Sequence, residues 1–264
     1  TTQSIDLAEN FRSGQEILEV ANRTIARVLP GLASVVSARG NRTGDVRLAP
    51  AGSADEMHDH LVSIVRGWIA AGIPDSEIAV LAFKGSNVAE VGAALRRARV
   101  ASHDVGLPAV SSTDVFALVS SAAEGFDWDA APEEVAPLDM LDHLEGELDP
   151  QLGDEESETR DDWERLRAAV DEQVRRGSPD LGDALRRVKQ ADEGPRTRAG
   201  VTVSTMHKAK GLEWQAVAVT DVSTAGLDGP TPDEERCRLL YVALTRAKDQ
   251  LDISWHGRCS RWLG

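Results

Sequence analysis

Two arginines in this sequence stand where a phosphorylated ligand could be bound. The segment "ENFRSGQEI" (9–17) places Arg12 directly before a stretch with helical periodicity, and "LLYVALTRAK" (239–248) carries Arg246 near the end of an apolar helical pattern. An arginine supplies a full positive charge and a planar fork of donors that matches phosphate oxygens. The free backbone N–H groups at the start of a helix also favour an anion. The two arginines therefore predict contacts with phosphate.

A third segment, "VSTMHKAKGLEWQAV" (203–217), forms a basic junction in a chain whose net charge is −15. A strand that ends at Ser204 would deliver the side chains after it to the carboxyl edge of a parallel sheet, where open α/β sheets bind ligands. Hydroxyl, imidazole and ammonium groups at that edge can contact a phosphodiester backbone. The groups are those of Thr205, His207, Lys208 and Lys210.

The same junction ends with two residues suited to a nucleotide. Gly211 permits close approach of the backbone to a ligand. Glu213 can accept hydrogen bonds from the hydroxyl groups of a ribose. The residues of the junction therefore predict contacts with a phosphodiester backbone and with a ribose at one place in the fold.

Each segment also has an ordinary explanation when it is taken alone. Arg12 could pair with Glu9 or Glu16 at the surface, and the basic junction could be a solvated loop. Arg246 could emerge at the end of a helix, although a buried guanidinium without a partner costs several kcal/mol and must meet water, a carboxylate or a phosphate.

Hydrophobic periodicity predicts the elements that hold these segments. Strands and helices alternate over residues 1–106, and the strand patterns "GVTVST", "AVAVTDV" and "QLDISW" follow residue 199. This alternation predicts an α/β domain with a parallel sheet covered by helices on both faces. Ser13 and Glu16 form a capping-box pattern, which predicts that a helix starts at Ser13.

Two further features complete the predicted organisation. The pattern "PDEERCRLLYVALTRAKD", with Pro232 near its start, predicts a helix that contains Arg246. Residues 107–199 hold four helical patterns separated by Pro, Gly and acidic links. The predicted architecture is therefore a discontinuous sheet domain, residues 1–106 and 200–264, interrupted by an acidic helical insertion, residues 107–199.

The acidity of the chain is concentrated in one segment. Residues 124–164 contain 17 Asp or Glu and one Arg, a local charge of −16, so the remaining residues carry +1. The overall acidity therefore does not exclude nucleic-acid binding by the rest of the chain. The segment itself could be a protein-binding surface or a solvated helical cover.

The remaining composition predicts a protein without a metal site or a membrane span. Cys237 and Cys259 have no metal-ligand spacing and are typical of a reducing compartment. The apolar runs are far shorter than the ~20 residues of a membrane-spanning helix. We expect a cytoplasmic protein.

Together and in this order, the three segments resemble motifs IV, V and VI of superfamily 1 DNA helicases of the UvrD/Rep/PcrA type. "ENFRSGQEI" is similar to motif IV, usually centred on N-Y-R-S, and "VSTMHKAKGLEWQAV" to motif V, usually T-x-H-x-x-K-G-L-E-F. "EERCRLLYVALTRAK" is similar to motif VI nearly letter for letter. The resemblance implies a second, RecA-like motor domain, with residues 107–199 as a reduced counterpart of the family's helical subdomain.

The resemblance also implies roles for individual residues. Arg12 and Arg246 would be the two catalytic arginines that reach the γ-phosphate of ATP. Phe11, where the family usually has tyrosine, would stack on adenine, while Gly211 and Glu213 would complete the ATP site. Thr205, His207 and Lys208 would contact single-stranded DNA.

The chain departs from a complete motor in two ways. It contains no Gly-Lys dipeptide and hence no G-x-x-x-x-G-K-[ST] phosphate loop, and the Asp-Glu pair in "PDEER" follows no apolar strand. The resemblance therefore implies that an N-terminal RecA-like domain binds ATP and Mg²⁺, and that this fragment alone does not hydrolyse ATP. Ala82 and Phe83 also replace the aromatic residue and arginine that are common in the family, so a non-catalytic docking or regulatory module is the alternative.

Overall fold

The computed structural model describes residues 9–30, 37–38, 42–125, 136–153, 157–193, 199–228 and 234–263. Its contacts divide the chain into two compact units. The sheet unit comprises Thr1–Phe83, Ala94–Val105 and Ala199–Gly264, and the helical unit comprises Lys84–Ala93 and Gly106–Arg198. Residues 84–93 thus group with the helical unit, whereas the sequence-based division places them with the sheet.

The strands of the sheet unit form one large sheet and a short pair. The strands are β1 Glu9–Asn10, β2 Ser37–Ala38, β3 Asp45–Ala51, β4 Ile78–Ala82, β5 Ser102–Val105, β6 Val201–Thr205, β7 Trp214–Val219 and β8 Ala247–His256. β1 pairs with β2, and the other six are ordered β3-β8-β7-β4-β6-β5. Every strand pair is parallel. All amino ends of the large sheet therefore lie at one edge and all carboxyl ends at the other.

Eight helices lie in the described part of the chain. They are α1 Gln15–Ile25, α2 Ala54–Ala70, α3 Gly85–Arg97, α4 Asp114–Gly125, α5 Pro137–Leu152, α6 Glu158–Arg175, α7 Leu181–Glu193 and α8 Glu234–Leu244. Within the ranges that the structure describes, no helix combines the length and the apolar character that a membrane span requires.

Helices cover both faces of the large sheet. Leu251 and Ile253 of β8 belong to one core cluster with Ile17 of α1 and with buried residues of α8. The intervening residue, Asp252, points to the opposite face because side chains alternate along a strand, and there it lies 2.9 Å from His60 Nε2 of α2. This arrangement confirms the predicted parallel α/β fold with helices on both faces.

The helical unit has a core of its own. Trp163 and Leu166 of α6 pack with buried apolar residues of α4, α5 and α7. Part of the acidic charge is paired within the unit, since Arg160 of α6 contacts both Glu145 and Asp149 of α5. The four helices agree with the helical patterns predicted for this stretch. Residues 126–135 and 154–156 of the acidic segment lie outside the described residues.

Two predicted helix boundaries are wrong. α1 begins at Gln15 after Gly14, and no side chain caps it. Glu16 does not close a capping box, because its Oε2 accepts a hydrogen bond from the backbone N–H of Gly44 at 2.6 Å. α8 ends at Leu244, so Arg246 lies in the turn between α8 and β8. Pro232 falls outside the described residues.

Candidate functional site

Three consecutive backbone carbonyls at the start of β8 hold the three motif segments together. The carbonyl of Arg246 accepts a hydrogen bond from the N–H of Trp214 at 3.0 Å. The carbonyl of Ala247 accepts one from Ser13 Oγ at 2.7 Å, and that of Lys248 accepts one from the N–H of Gly14 at 3.0 Å. Segments more than 200 residues apart in the chain are thereby fixed against the same short stretch of backbone.

The side chains beside this backbone converge on Glu213. Arg12 Nε lies 2.5 Å from Glu213 Oε2, and Lys248 Nζ lies 3.3 Å from Oε1 of the same carboxylate. Partial burial would raise the pKa of Glu213, but the hydrogen bond from Lys248 and the charges of Arg12 and Lys248 outweigh it and lower the pKa. Glu213 is therefore held as a carboxylate with one cation on each oxygen.

Arg246 is anchored at the rim of the same group by its own backbone neighbourhood. Its Nε donates to the carbonyl of Val242 at 2.9 Å, and its Nη1 donates to the carbonyl of Leu212 at 3.0 Å. Burial, followed by the nearby positive charge of Arg12, lowers the pKa of this guanidinium, while Glu213 opposes the shift. Arg246 therefore lies close enough to Arg12 and Glu213 to interact with both electrostatically.

An open cleft with a volume of about 690 Å³ adjoins this cluster. It is lined by Asn10, Phe11, Arg12, Arg42, Glu213 and Lys248. Phe11 is 64% exposed, and an aromatic ring is a group on which a planar base can stack. An aromatic ring, a carboxylate and three cations are the groups that would meet the base, the ribose and the phosphates of a nucleotide.

The cleft lies at the amino edge of the sheet, which corrects the prediction of a combined site at the carboxyl edge. Glu213 directly precedes β7 and Arg246 directly precedes β8, whereas Thr205 is the last residue of β6. Since these strands are parallel, Thr205 and Glu213 lie near opposite edges. A five-residue strand separates the edges by about 16 Å. The basic junction therefore runs from the carboxyl edge of the sheet to the amino edge.

The residues predicted to contact DNA lie at the carboxyl edge. His207 and Lys208 are exposed, while Thr205 is 8% exposed and its hydroxyl accepts a hydrogen bond from the N–H of Lys208 at 3.4 Å. Thr205 thus shapes the turn that presents the other two side chains. Phe83, which follows β4, packs its ring 6.3 Å from that of His207, and the guanidinium of Arg236 lies 5.2 Å above the Phe83 ring.

Gly211 lies in the chain between these two edges. Its φ is +84°, and a Cβ added there would have no atom within 4 Å. Glycine is therefore required for the left-handed backbone rather than for close packing. The prediction that Gly211 contacts ATP is not tested by this geometry.

Sequence reasoning missed three residues that line the cleft. Lys248 was detectable, because it is the last residue of the "LLYVALTRAK" segment and one of only five lysines in the chain. Arg42 had no such signal; it reaches the cleft because the backbone carbonyl of Arg42 accepts from Gln15 N–H at 2.8 Å. Asn10 was missed as well, and its Oδ1 accepts from the N–H groups of Arg12 and Ser13, which shapes the turn that carries Arg12.

The described residues contain no group of three His, Cys, Asp or Glu side chains arranged to hold a metal ion. The chemistry of the cleft is instead that of an anion site with one paired carboxylate.

Comparisons with known proteins connect this geometry to a family. The family model of the UvrD-like helicase C-terminal domain matches residues 200–253. The chain is 30% identical over 288 residues to the ATP-dependent DNA helicase UvrD2 of Mycobacterium tuberculosis H37Rv. The alignment covers 95% of this chain and 38% of that protein. The chain is 39% identical over 136 residues to the ATP-dependent DNA helicase UvrD1 of the same strain, covering 47% of this chain and 16% of that protein.

A solved structure shares the fold. The C-terminal domain of a possible DNA helicase from Lactobacillus plantarum WCFS1 superposes with a TM-score of 0.50 at 14% identity, covering 97% of this chain and 92% of that one. The chain spans about 38% of the length of the UvrD2 relatives it matches.

Proposed function

We propose that this chain, whose residues 200–253 match the UvrD-like helicase C-terminal domain, is the second motor domain of an ATP-dependent DNA helicase or translocase. In this role it completes a nucleotide site whose phosphate loop lies on an N-terminal RecA-like domain. It also contacts single-stranded DNA. The convergence of Arg12, Glu213 and Arg246 on one stretch of β8 backbone is the observation that carries the proposal.

The cleft supports a division of roles on the nucleotide. Phe11 offers an exposed ring for the base, Glu213 offers a carboxylate for the ribose, and Arg12 and Arg246 offer guanidinium groups for the γ-phosphate. Arginines placed at a transferring phosphoryl group stabilise the charge of the transition state and accelerate the reaction about 10³-fold or more. The cluster contains no general base and no phosphate loop, so its contribution would be electrostatic.

ATP and Mg²⁺ would both be held mainly by the N-terminal domain. The sequence has no phosphate loop, and the described residues have no metal-binding group. We therefore propose that this chain alone is inactive, and that closure of the two domains on ATP brings the arginines to the phosphate.

The carboxyl edge of the sheet suits a single strand of DNA. His207 and Lys208 are exposed there on a turn held by Thr205. Imidazole and ammonium groups bind the phosphodiester backbone, which is the sequence-independent contact that a translocating enzyme needs. Placing DNA and nucleotide at opposite edges of one rigid sheet would let domain closure displace the strand.

The nucleotide role is tested by replacing Arg246 in the full-length protein. Arg246→Ala should lower DNA-stimulated ATP turnover about 10³-fold because the transition state loses one guanidinium. Arg238→Ala is the matched control, since Arg238 of α8 pairs with Glu234 at the surface and should leave turnover within twofold. Turnover of Arg246→Ala within about twofold of the unmodified enzyme would show that the assigned role is wrong.

The DNA role is tested on this chain by itself. His207→Ala combined with Lys208→Ala should weaken binding of a fluorescent oligothymidylate and flatten the dependence of its affinity on salt, because phosphate contacts are lost. Lys189→Ala, which removes an exposed lysine of α7, is the control and should leave both the affinity and the salt slope unchanged. An unchanged salt slope in the double variant would contradict this assignment.

A further inference from the structure

Lys248 lines the nucleotide cleft, yet the family resemblance gives it no role. It is the second residue of β8, and its backbone carbonyl is fixed by Gly14 N–H at 3.0 Å. Its ammonium lies 3.3 Å from Glu213 Oε1 and 3.7 Å from Glu77 Oε2. The side chain is 27% exposed, so it is a partly enclosed cation between two carboxylates.

The two oxygens of Glu213 are served by cations of different kinds. Oε2 faces the guanidinium of Arg12 and Oε1 faces the ammonium of Lys248. In the proposed function Arg12 also has to reach a phosphate. Arg12 contacts Glu213 through Nε, and its two Nη atoms carry further donors that can meet phosphate oxygens. A shift of the guanidinium toward a phosphate would lengthen the contact with Oε2 and make Glu213 more dependent on Lys248.

We propose that Lys248 is a positioning residue for the nucleotide. It holds the Glu213 carboxylate in its orientation toward the ribose hydroxyls when Arg12 shifts toward the phosphate. This inference rests on the proposed function and adds to it the residue that supports the ribose contact.

The chemistry of lysine fits this positioning role better than the chemistry of a second arginine finger. Its ammonium carries three rotatable donors on a flexible stem, so one can stay on Oε1 while Oε2 changes partner. Glu77 provides a second carboxylate that holds the ammonium near the cleft. Lys248 therefore supplies a contact that does not depend on whether Arg12 is on the carboxylate or on the phosphate.

The first test measures the Glu213 carboxyl group in this chain. Lys248→Met removes a cation that lowers the pKa of Glu213, so carbon-detected NMR titration of the labelled carboxyl should show that pKa rising. Lys189→Met, which removes an exposed lysine of α7 in the helical unit, should leave it unchanged. An unchanged Glu213 pKa in Lys248→Met would overturn the proposal, and this readout needs neither ATP turnover nor an N-terminal domain.

The second test measures steady-state kinetics of the full-length enzyme. Lys248→Met should raise the KM for ATP about three- to fivefold with kcat within twofold, in keeping with the modest strength of a half-exposed ion pair. Lys248→Arg should restore most of the affinity.

The double variant Glu213→Gln, Lys248→Met separates positioning from a direct phosphate contact. Its KM should equal that of Glu213→Gln within twofold, because Lys248 acts through the carboxylate. Additive effects, or a loss in kcat instead of KM, would overturn the positioning role. A failure of Arg246→Ala to reduce turnover refutes the motor function itself, whereas a Lys248→Met enzyme with normal KM and an intact Arg246 effect refutes only this inference.

Discussion

Replacing Ser13 tests how the structure places Arg12, because two roles for this serine predict different results for Ser13→Asp. The sequence pattern makes Ser13 a helix cap, whose hydroxyl accepts a hydrogen bond from a backbone N–H. In the structure the hydroxyl instead donates to the carbonyl of Ala247 at 2.7 Å. Ser13 is 1% exposed and Ala247 is fully buried.

The loss of stability expected for Ser13→Ala follows from that burial. Ser13→Ala leaves the Ala247 carbonyl without its donor, which costs about 1–3 kcal/mol in the free energy of unfolding. Ser112→Ala is a matched control, since Ser112 Oγ donates to the carbonyl of Ala109 at the same 2.7 Å but at an exposed position. Its loss should stay within about 0.5 kcal/mol because water replaces the donor.

Ser13→Asp separates the two roles. An aspartate is as good a helix cap as serine, but it cannot donate to Ala247 and would press a carboxylate against a carbonyl. We expect a loss at least as large as that of Ser13→Ala. Hydrogen exchange of the β7 and β8 amides measures the opening free energy of the sheet unit, and amides of α4 report the Ser112 control. A Ser13→Asp protein as stable as the unmodified chain would refute the tether.

Three further predictions concern the sheet unit. Gly211→Ala should lower the free energy of unfolding by about 1–2 kcal/mol through backbone strain, and Gly211→Asn by less; equal losses in urea denaturation would contradict this cause. Burial raises the pKa of Asp252 above 3.8, although His60 opposes the shift. The folded chain therefore binds this proton more tightly than the unfolded chain, and the stability that the proton contributes is complete below pH 3.8 and is lost as the pH rises through the raised pKa. The stability of the unmodified chain relative to Asp252→Asn, measured by urea unfolding, should therefore decrease from pH 4 to pH 7, and a constant difference would argue against it. Phe83→Ala should weaken oligothymidylate binding in fluorescence anisotropy several-fold, because His207 loses the ring against which it packs; fully additive effects of Phe83→Ala and His207→Ala would exclude that coupling.

Local pattern was sufficient for the fold, since burial follows strand and helix periodicity closely. All five residues of β4 are buried, as expected for an apolar run covered on both faces. Local pattern did not predict the positions of Ser13 and Arg246 correctly, because both depend on hydrogen bonds to distant parts of the chain. Ser13 bonds to a residue 234 positions away, and the apolar helical pattern around Arg246 is broken because Ala247 pairs with Trp214 in the sheet. Long-range hydrogen bonds of this kind leave no periodic signal.

The edge of the sheet at which the cleft beside Glu213 forms was in principle readable from the sequence. Glu213 stands directly before the strand pattern and Arg246 before the last strand, which places both at amino ends once the sheet is parallel. The rule that open α/β sheets bind ligands at their carboxyl ends concerns a domain whose own loops enclose the ligand. We propose that this chain instead completes a site on another domain, and the rule does not cover that arrangement. The eight residues 206–213 must then run the length of the sheet, about 16 Å, from the turn of His207 to Glu213. The turn that we propose contacts DNA and the carboxylate that we propose contacts the ribose are therefore joined by one short segment, in which Gly211 is the only left-handed residue.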